Sequence, residues 1–236
     1  MRHTFGVILL LLFAPSLMAQ RAFELAGKVI YEDARGSRTD LGAGFSPVLT
    51  HDGRVALLRG RSFDYGEQFD CAHRETRNWV AVYNPATKSE EVLFDRPVAF
   101  GGGKWKFCVF WRMQLSPDDS IVYLVSPVSA TSGSLAIVRL HSGRISEVGG
   151  VDEVFVIETG PHRGDLIYQR RMWHRIRGEE GQYPYYPFVH ARADGSPIHV
   201  ISGEYFTVGG ATDTPILKAY LRRIGGVIRV NGKTFP

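Results

Sequence analysis

Four stretches of this chain share one plan, an apolar run, a polar turn and a second apolar run. They are KVIYEDARGSRTDL (28–41), VAVYNPATKSEEVLF (80–94), AIVRLHSGRISEV (136–148) and FVHARADGSPIHVI (188–201). Their turns fall on Gly36, Thr87, Gly143 and Gly195, a pitch of about 50 residues, within the range of blade-sized repeats. A second hairpin precedes three of them: FSPVLTHDGRVALL (45–58), MQLSPDDSIVYLV (113–125) and, more loosely, VIETGPHRGDLIYQ (156–169). Each unit therefore offers two hairpins in sequence. One twisted four-stranded sheet cannot cover both of its own faces, whereas repeated sheets stacked around an axis bury each other's. This is the pattern of a β-propeller blade.

The runs themselves are rich in β-branched and aromatic residues and are bounded by turn formers, as strands are. Ser-Pro-Asp-Asp at 116–119 and Thr-His-Asp-Gly at 50–53 supply the chemistry that a tight reversal needs. A β-sandwich of the same strand count also alternates apolar and polar residues, but it needs no two-hairpin unit at steady pitch. The expected fold is all-β, a small propeller-like ring of about four blades, incomplete if residues 22–42 are only the outer half of one. An incomplete ring leaves edges that a terminal segment or a partner must cover.

LSPDDSIVYLVS (115–126) followed by LAIVRLHSGRISEV (135–148) resembles a TolB-type, WD-like propeller repeat, and FSPVLTHDGRVALL is a weaker match. The resemblance covers about 100 residues well and roughly 170 loosely, within the span expected of a few blades. Asp119 stands where the repeat usually has glycine, the pitch is longer, and the third unit lacks Ser-Pro-Asp. The resemblance implies a fold and no activity, and no functional residue carries over.

The two ends read differently from the middle. Residues 1–19 have a basic start, an apolar run from Val7 to Ala14 and small residues near Ala19. That is the form of a secretory signal peptide, too short in its apolar run to span a membrane. Cleavage near Ala19 would release a mature chain with no transmembrane segment, in the periplasm or secreted. Residues 20–210 are expected to be the propeller-like domain and 211–236 a helix and strand packed on it. Pro215 can open that helix and Gly225-Gly226 can end it. Between them Ile216, Leu217, Tyr220, Leu221 and Ile224 share one face, suited to covering an open edge or, alternatively, to docking a partner.

Cys71 and Cys108 are the only cysteines. Export favours a disulfide between them, worth roughly 3–4 kcal/mol on the chain-entropy model; two separate buried thiols are the alternative. A structural zinc site built on them lacks supporting histidines. With 236 residues, 44% of them hydrophobic, one sizeable core is available. The net charge of +4 is small and carried mostly by arginine, so nucleic acid is not implied. A protein, or an envelope glycan or lipid, is the better candidate partner.

Catalytic signatures are missing from the text. It contains no G-x-S-x-G elbow and no H-E-x-x-H helix, and in GGGKW Trp105 replaces the hydroxyl residue of a phosphate loop. Asp118-Asp119 lacks the alternating ligands of a calcium loop and reads as turn chemistry. His51 beside Asp52, with Ser46 or Ser62 as nucleophile, makes a poor triad because sequence neighbours rarely face each other in the required way. His190, in a strand, reads as a satisfied hydrogen-bonding residue. No cofactor and no metal site is expected.

Two long connections remain. RGRSFDYGEQFDCAHRETRN (59–78) carries Phe63 and Tyr65, and QRRMWHRIRGEEGQYPYYPFVH (169–190) carries Arg170, Arg171, Trp173, His174, Arg175, Tyr185 and Tyr186. Both fall between the second and third strands of their units, hence at one end of the ring. Long loops on a regular scaffold commonly carry function, and arginine with aromatic faces suits acidic or protein surfaces. The expectation is a non-enzymatic binding protein that uses these loops. A carbohydrate-active hydrolase or lyase, or a secreted inhibitor or immunity-type protein, is the alternative.

Overall fold

The computed structural model describes residues 20–61, 71–100, 105–129, 132–174, 183–201, 215–230 and 233–236. The leader read at 1–19 lies outside them. Among the described residues, four sheets of three or more strands succeed one another along the chain. The first blade holds β1 (Arg21–Leu25), β2 (Lys28–Glu32) and β3 (Arg38–Ala43). The second holds β4 (Phe45–Leu49), β5 (Val55–Gly60), β6 (Asn78–Asn84) and β7 (Ser89–Phe94). A hairpin of β8 (Val98–Phe100) and β9 (Trp105–Phe107) leads to the third blade, with β10 (Arg112–Leu115), β11 (Ile121–Ser129), β12 (Ser132–Arg139) and β13 (Ile145–Gly149). The fourth begins with β14 (Val151–Thr159) and β15 (Leu166–Arg170). After a hairpin of β16 (Met172–His174) and β17 (Tyr183–Tyr185), it ends with β18 (Phe188–Ala191) and β19 (Pro197–Val200). Helix α1 (Pro215–Ile224) and a hairpin of β20 (Val227–Val230) and β21 (Lys233–Phe235) close the chain. This is a four-bladed β-propeller arrangement.

The packing explains why the strands read as unbroken apolar runs. In β5, Val55 and Leu57 face the first blade, packing with Val29, Tyr31 and Leu41. Ala56 and Leu58 face the third, packing with Met113, Val122 and Leu124. In β11 the odd positions Ile121, Tyr123 and Val125 turn instead to Val154, Leu166 and Tyr168 of the fourth blade. A strand buried on both faces has no solvent side to keep polar.

The first blade is the exception in strand count. Gly27 and Gly44 meet through the Gly44 N–H and the Gly27 carbonyl, 3.5 Å apart, while Gln20 lies at the far end beside Gly53. β1 therefore runs opposite to β4, the innermost strand of the next blade. Its three strands correspond in direction to the second, third and fourth of a full blade, so the outer half expected from residues 22–42 gains one strand more.

Asp119 shows why a non-glycine is tolerated in the Ser-Pro-Asp-Asp turn. Its φ is +57°, a left-handed conformation that Asp and Asn visit more readily than other side chains. Its carboxylate accepts the His51 N–H at 2.8 Å from the turn of the neighbouring blade, a contact glycine could not make. Helix α1 begins at Pro215 and ends at Gly225, φ +66°. There the Gly226 N–H reaches the Leu221 carbonyl at 2.9 Å and the Gly225 N–H that of Arg222 at 3.3 Å, a Schellman cap. Leu217, Tyr220 and Leu221 bury on Phe155, Ile157, Ile167 and Phe188 of the fourth blade. Among the described residues no helix is long and apolar enough to cross a membrane.

Candidate functional site

Antiparallel order within each blade puts the connections between second and third strands at one end of the ring, together with the connections between blades. Two contacts bear this out. Cys71, after β5, is disulfide-bonded to Cys108 in the linker from the second blade to the third, with Cα atoms 5.5 Å apart. The Arg171 N–H, after β15, donates to the carbonyl of Gly150 between the third and fourth blades at 2.6 Å. Asn78 adds a buried clamp here, its Nδ2 donating to the Phe110 carbonyl at 2.8 Å and its Oδ1 accepting the Phe110 N–H at 3.0 Å.

At this end the fourth blade projects the β16–β17 hairpin, with Met172 opposite Tyr185, Trp173 opposite Pro184 and His174 opposite Tyr183. Trp173 is 54% exposed, and the Arg171 guanidinium lies 4.6 Å from the centre of its ring, a cation–π arrangement that orients the indole. Arg170 is half-buried, its N–H donating to the Pro187 carbonyl at 3.0 Å. Tyr185 is half-buried, whereas Tyr186 is buried within the blade and its carbonyl accepts from Gln169 Nε2 at 3.4 Å. Arg175, Phe63 and Tyr65 lie outside the described residues. Trp173 and Arg171 thus come together on the hairpin, Tyr185 sits opposite Met172 on its other face, and Tyr186 is buried within the blade.

A cavity of about 690 Å³ runs along the axis, walled by β1, β4, β10 and β14 and completed by Arg229 and Thr234. Its acidic residues each have a partner. Glu158 pairs with Arg229 at 3.1 Å and Glu153 with Arg112 at 3.6 Å, while Glu24 accepts the Ser46 N–H. Burial pushes the Glu153 carboxyl above the usual carboxylate range, with Arg112 opposing. The cavity continues toward the opposite end, past His51, Asp52 and Asp119. His51 and Asp52 do not form a catalytic pair: Asp52 binds Thr50 and Arg54. The Ser46 hydroxyl accepts the Met113 N–H at 2.8 Å, and Ser62 lies outside the described residues.

His190 is satisfied, as a strand histidine is expected to be, by Asp165 at 3.0 Å and the Tyr220 hydroxyl at 2.8 Å. Burial lowers its pKa, against the opposing effect of Asp165. Sequence reasoning passed over the partners it gathers, His162 and Asp165. Their i, i+3 spacing inside a turn was the only available signal.

No protein-family model matches the chain, and no curated protein does. Among solved structures, the β-propeller domain of the Trilobed protease from Pyrococcus furiosus is 12% identical over 72% of this chain and 48% of its own, with a TM-score of 0.44. Porphyromonas gingivalis dipeptidyl peptidase 4 is 8% identical over 78% and 31%, with a TM-score of 0.41. TolB from Acinetobacter baumannii is 15% identical over 73% and 50%, with a TM-score of 0.31. These are likenesses of fold. The chain spans half or less of the length of each.

Proposed function

We propose that this chain is an exported, non-enzymatic binding protein that engages a protein or an envelope component at the end of the propeller bearing the Cys71–Cys108 bridge. The observation that carries the reading is Trp173. A large aromatic side chain, more than half exposed, stands on a hydrogen-bonded hairpin with a guanidinium stacked on it. Exposed, pre-oriented Trp and Arg are the side chains most often found as anchors of interfaces. The disulfide at the same end accords with an oxidising compartment. The β5–β6 connection leaves the second blade at this end, across the axis from the hairpin.

A hydrolase or lyase working in the axial cavity is the second reading, and Glu153, with its raised pKa, is the observation in its favour. The ion pairs that occupy Glu153 and Glu158 weigh against acid–base duty for them.

Trp173→Ala tests the first reading, since the residue is exposed and its loss should leave the melting temperature unchanged. The parent protein is immobilised, a captured envelope species is identified, and its affinity is remeasured with the variant. A drop of about 30-fold is expected for an interface anchor. Equal affinity for the same species would remove the hairpin from the site.

A further inference from the structure

The fourth blade gathers three ligating side chains from two elements. His162 and Asp165 sit in the β14–β15 turn, which is fixed by Arg163 N–H to Gly160 O at 3.2 Å, Gly164 N–H to Ile157 O at 2.8 Å and Asp165 N–H to His162 O at 3.0 Å. His190 comes from β18. Both imidazoles aim at one atom, Asp165 Oδ2, from His162 Nδ1 at 3.1 Å and His190 Nε2 at 3.0 Å. The potential ligand atoms all lie within 4.8 Å of one another. The His190 side chain is 1% exposed and that of His162 is 39% exposed, so the cluster is rooted in the blade and open on one side.

We propose that His162, Asp165 and His190 form a zinc-type divalent metal site with a fourth position open to water. Two imidazole nitrogens and one carboxylate oxygen are a donor set that zinc accepts, with three protein ligands and one vacant corner. The spacing fits with little movement. A point equidistant from the three atoms lies no more than about 2.5 Å from each, and zinc bonds of about 2.0–2.2 Å require closure by only a few tenths of an ångström.

The protons also balance. Without metal, the His162 Nδ1–H and the His190 Nε2–H both donate to Asp165. A bound cation takes the place of the proton on each ring nitrogen it binds, and that proton shifts to the other nitrogen of the same neutral ring: the His162 proton to Nε2, and the His190 proton to Nδ1, where it points at Tyr220. The Tyr220 oxygen, 2.8 Å away, donates in the first state and accepts in the second, because a phenol can do either. Tyr220 thereby acts as the outer partner that orients a metal-bound imidazole. It is held in place on α1 by the Arg223 guanidinium 4.9 Å from its ring centre and by the stacked ring of His199 at 5.7 Å. The same heavy-atom frame serves both states. Metal binding would tie the β14–β15 turn to β18 and, through Tyr220, to the helix.

The test uses the full, tag-free chain after chelator treatment, titrated with zinc chloride by calorimetry. One equivalent per chain is expected. His162→Ala, at a half-exposed turn position, should keep the fold and bind zinc at least 30-fold more weakly. His141→Ala, exposed on the β12–β13 turn, should bind as the parent does. Cobalt(II) loading of the parent gives a reading that needs no variant: the intense visible bands of a four-coordinate site are expected. A parent that takes up no zinc at 100 μM, a His162→Ala variant that binds equally well, or only the weak bands of six-coordinate cobalt would each overturn the proposal.

Discussion

Asn78 allows the bridge-bearing end of the ring to be tested with a change of one atom's chemistry. It opens β6 and is 3% exposed. Its backbone N–H donates to the Cys108 carbonyl at 3.0 Å, and its Nδ2 donates to the carbonyls of Phe110 at 2.8 Å and Arg61 at 3.2 Å. One side chain thus ties the β5–β6 connection and the inter-blade linker to the same strand. Asn78→Asp keeps the shape and the bond from the Phe110 N–H, but turns two donor bonds into oxygen facing oxygen. Each lost bond costs about 1 kcal/mol net, and the buried Phe110 carbonyl left unsatisfied roughly 1–3 kcal/mol more, so a deficit of about 3–5 kcal/mol is expected at pH 7. The sign with pH follows. Facing carbonyls and buried, the new carboxyl has a folded pKa above its unfolded value, so the deficit is full above the folded pKa and shrinks below the unfolded one, near 4, to the one donor bond that a single carboxyl O–H does not restore. Urea unfolding of parent and variant from pH 4 to 8 measures it as the difference between the two curves. A deficit below 1 kcal/mol at pH 7, or one that grows on acidification, would refute the clamp.

Two further outcomes follow from the same structure. Cys71→Ala with Cys108→Ala opens a loop closed over a separation of 37 residues and should lower stability by roughly 3–4 kcal/mol by loop entropy; a urea-measured loss under 1 kcal/mol would show that the bridge constrains little. Asp118, whose carboxylate accepts from the hydroxyls of Ser116 and Ser120, has its pKa lowered to about 2. Its contribution is present above the unfolded value near 4 and is lost as pH falls through 2. Discounted for its exposure, that amounts to about 1 kcal/mol. Asp118→Asn should flatten the acid limb of the stability curve by this amount between pH 5 and 2, and an unchanged limb would assign the turn's strength to other bonds.

What the sequence displayed and what it hid divide along a physical line. The blades were legible because burial on both faces forces unbroken apolar runs such as VALLRG and IVYLV, and because reversals between them demand residues such as Gly53 and Pro117. The helix was legible from Pro215, from Gly225 and from the spacing of Leu217, Tyr220 and Leu221. The His162–Asp165–His190 cluster was not, since it depends on β15 and β18 lying side by side, and no periodicity encodes that. Nor did composition separate Tyr185 from Tyr186. The two are adjacent in one aromatic run, and only the end of the β16–β17 hairpin decides which of them turns inward. The partner attachment of the last strands was equally invisible: β20 adds to β14, pairing Ile157 with Ile228 and Thr159 with Val227, instead of supplying the strand that the first blade lacks.

That attachment bears on how the fourth blade is covered. Among the described residues, apolar clusters join the first blade to the second, the second to the third and the third to the fourth. The remaining face of the fourth blade is covered by α1, through Leu217, Tyr220 and Leu221 with Ile228 of β20 beside them. At about 1.5–3 kcal/mol for each large apolar side chain buried, the three helix residues together contribute about as much as the whole net stability of a typical domain. A face with that task is not available to dock a partner, which leaves the covering role of the two that the sequence allowed. The helix stands where a neighbouring blade would otherwise pack. By the same route the C-terminal hairpin brings Arg229 and Thr234 to the axial cavity, so the segment that covers the open face also completes the cavity wall.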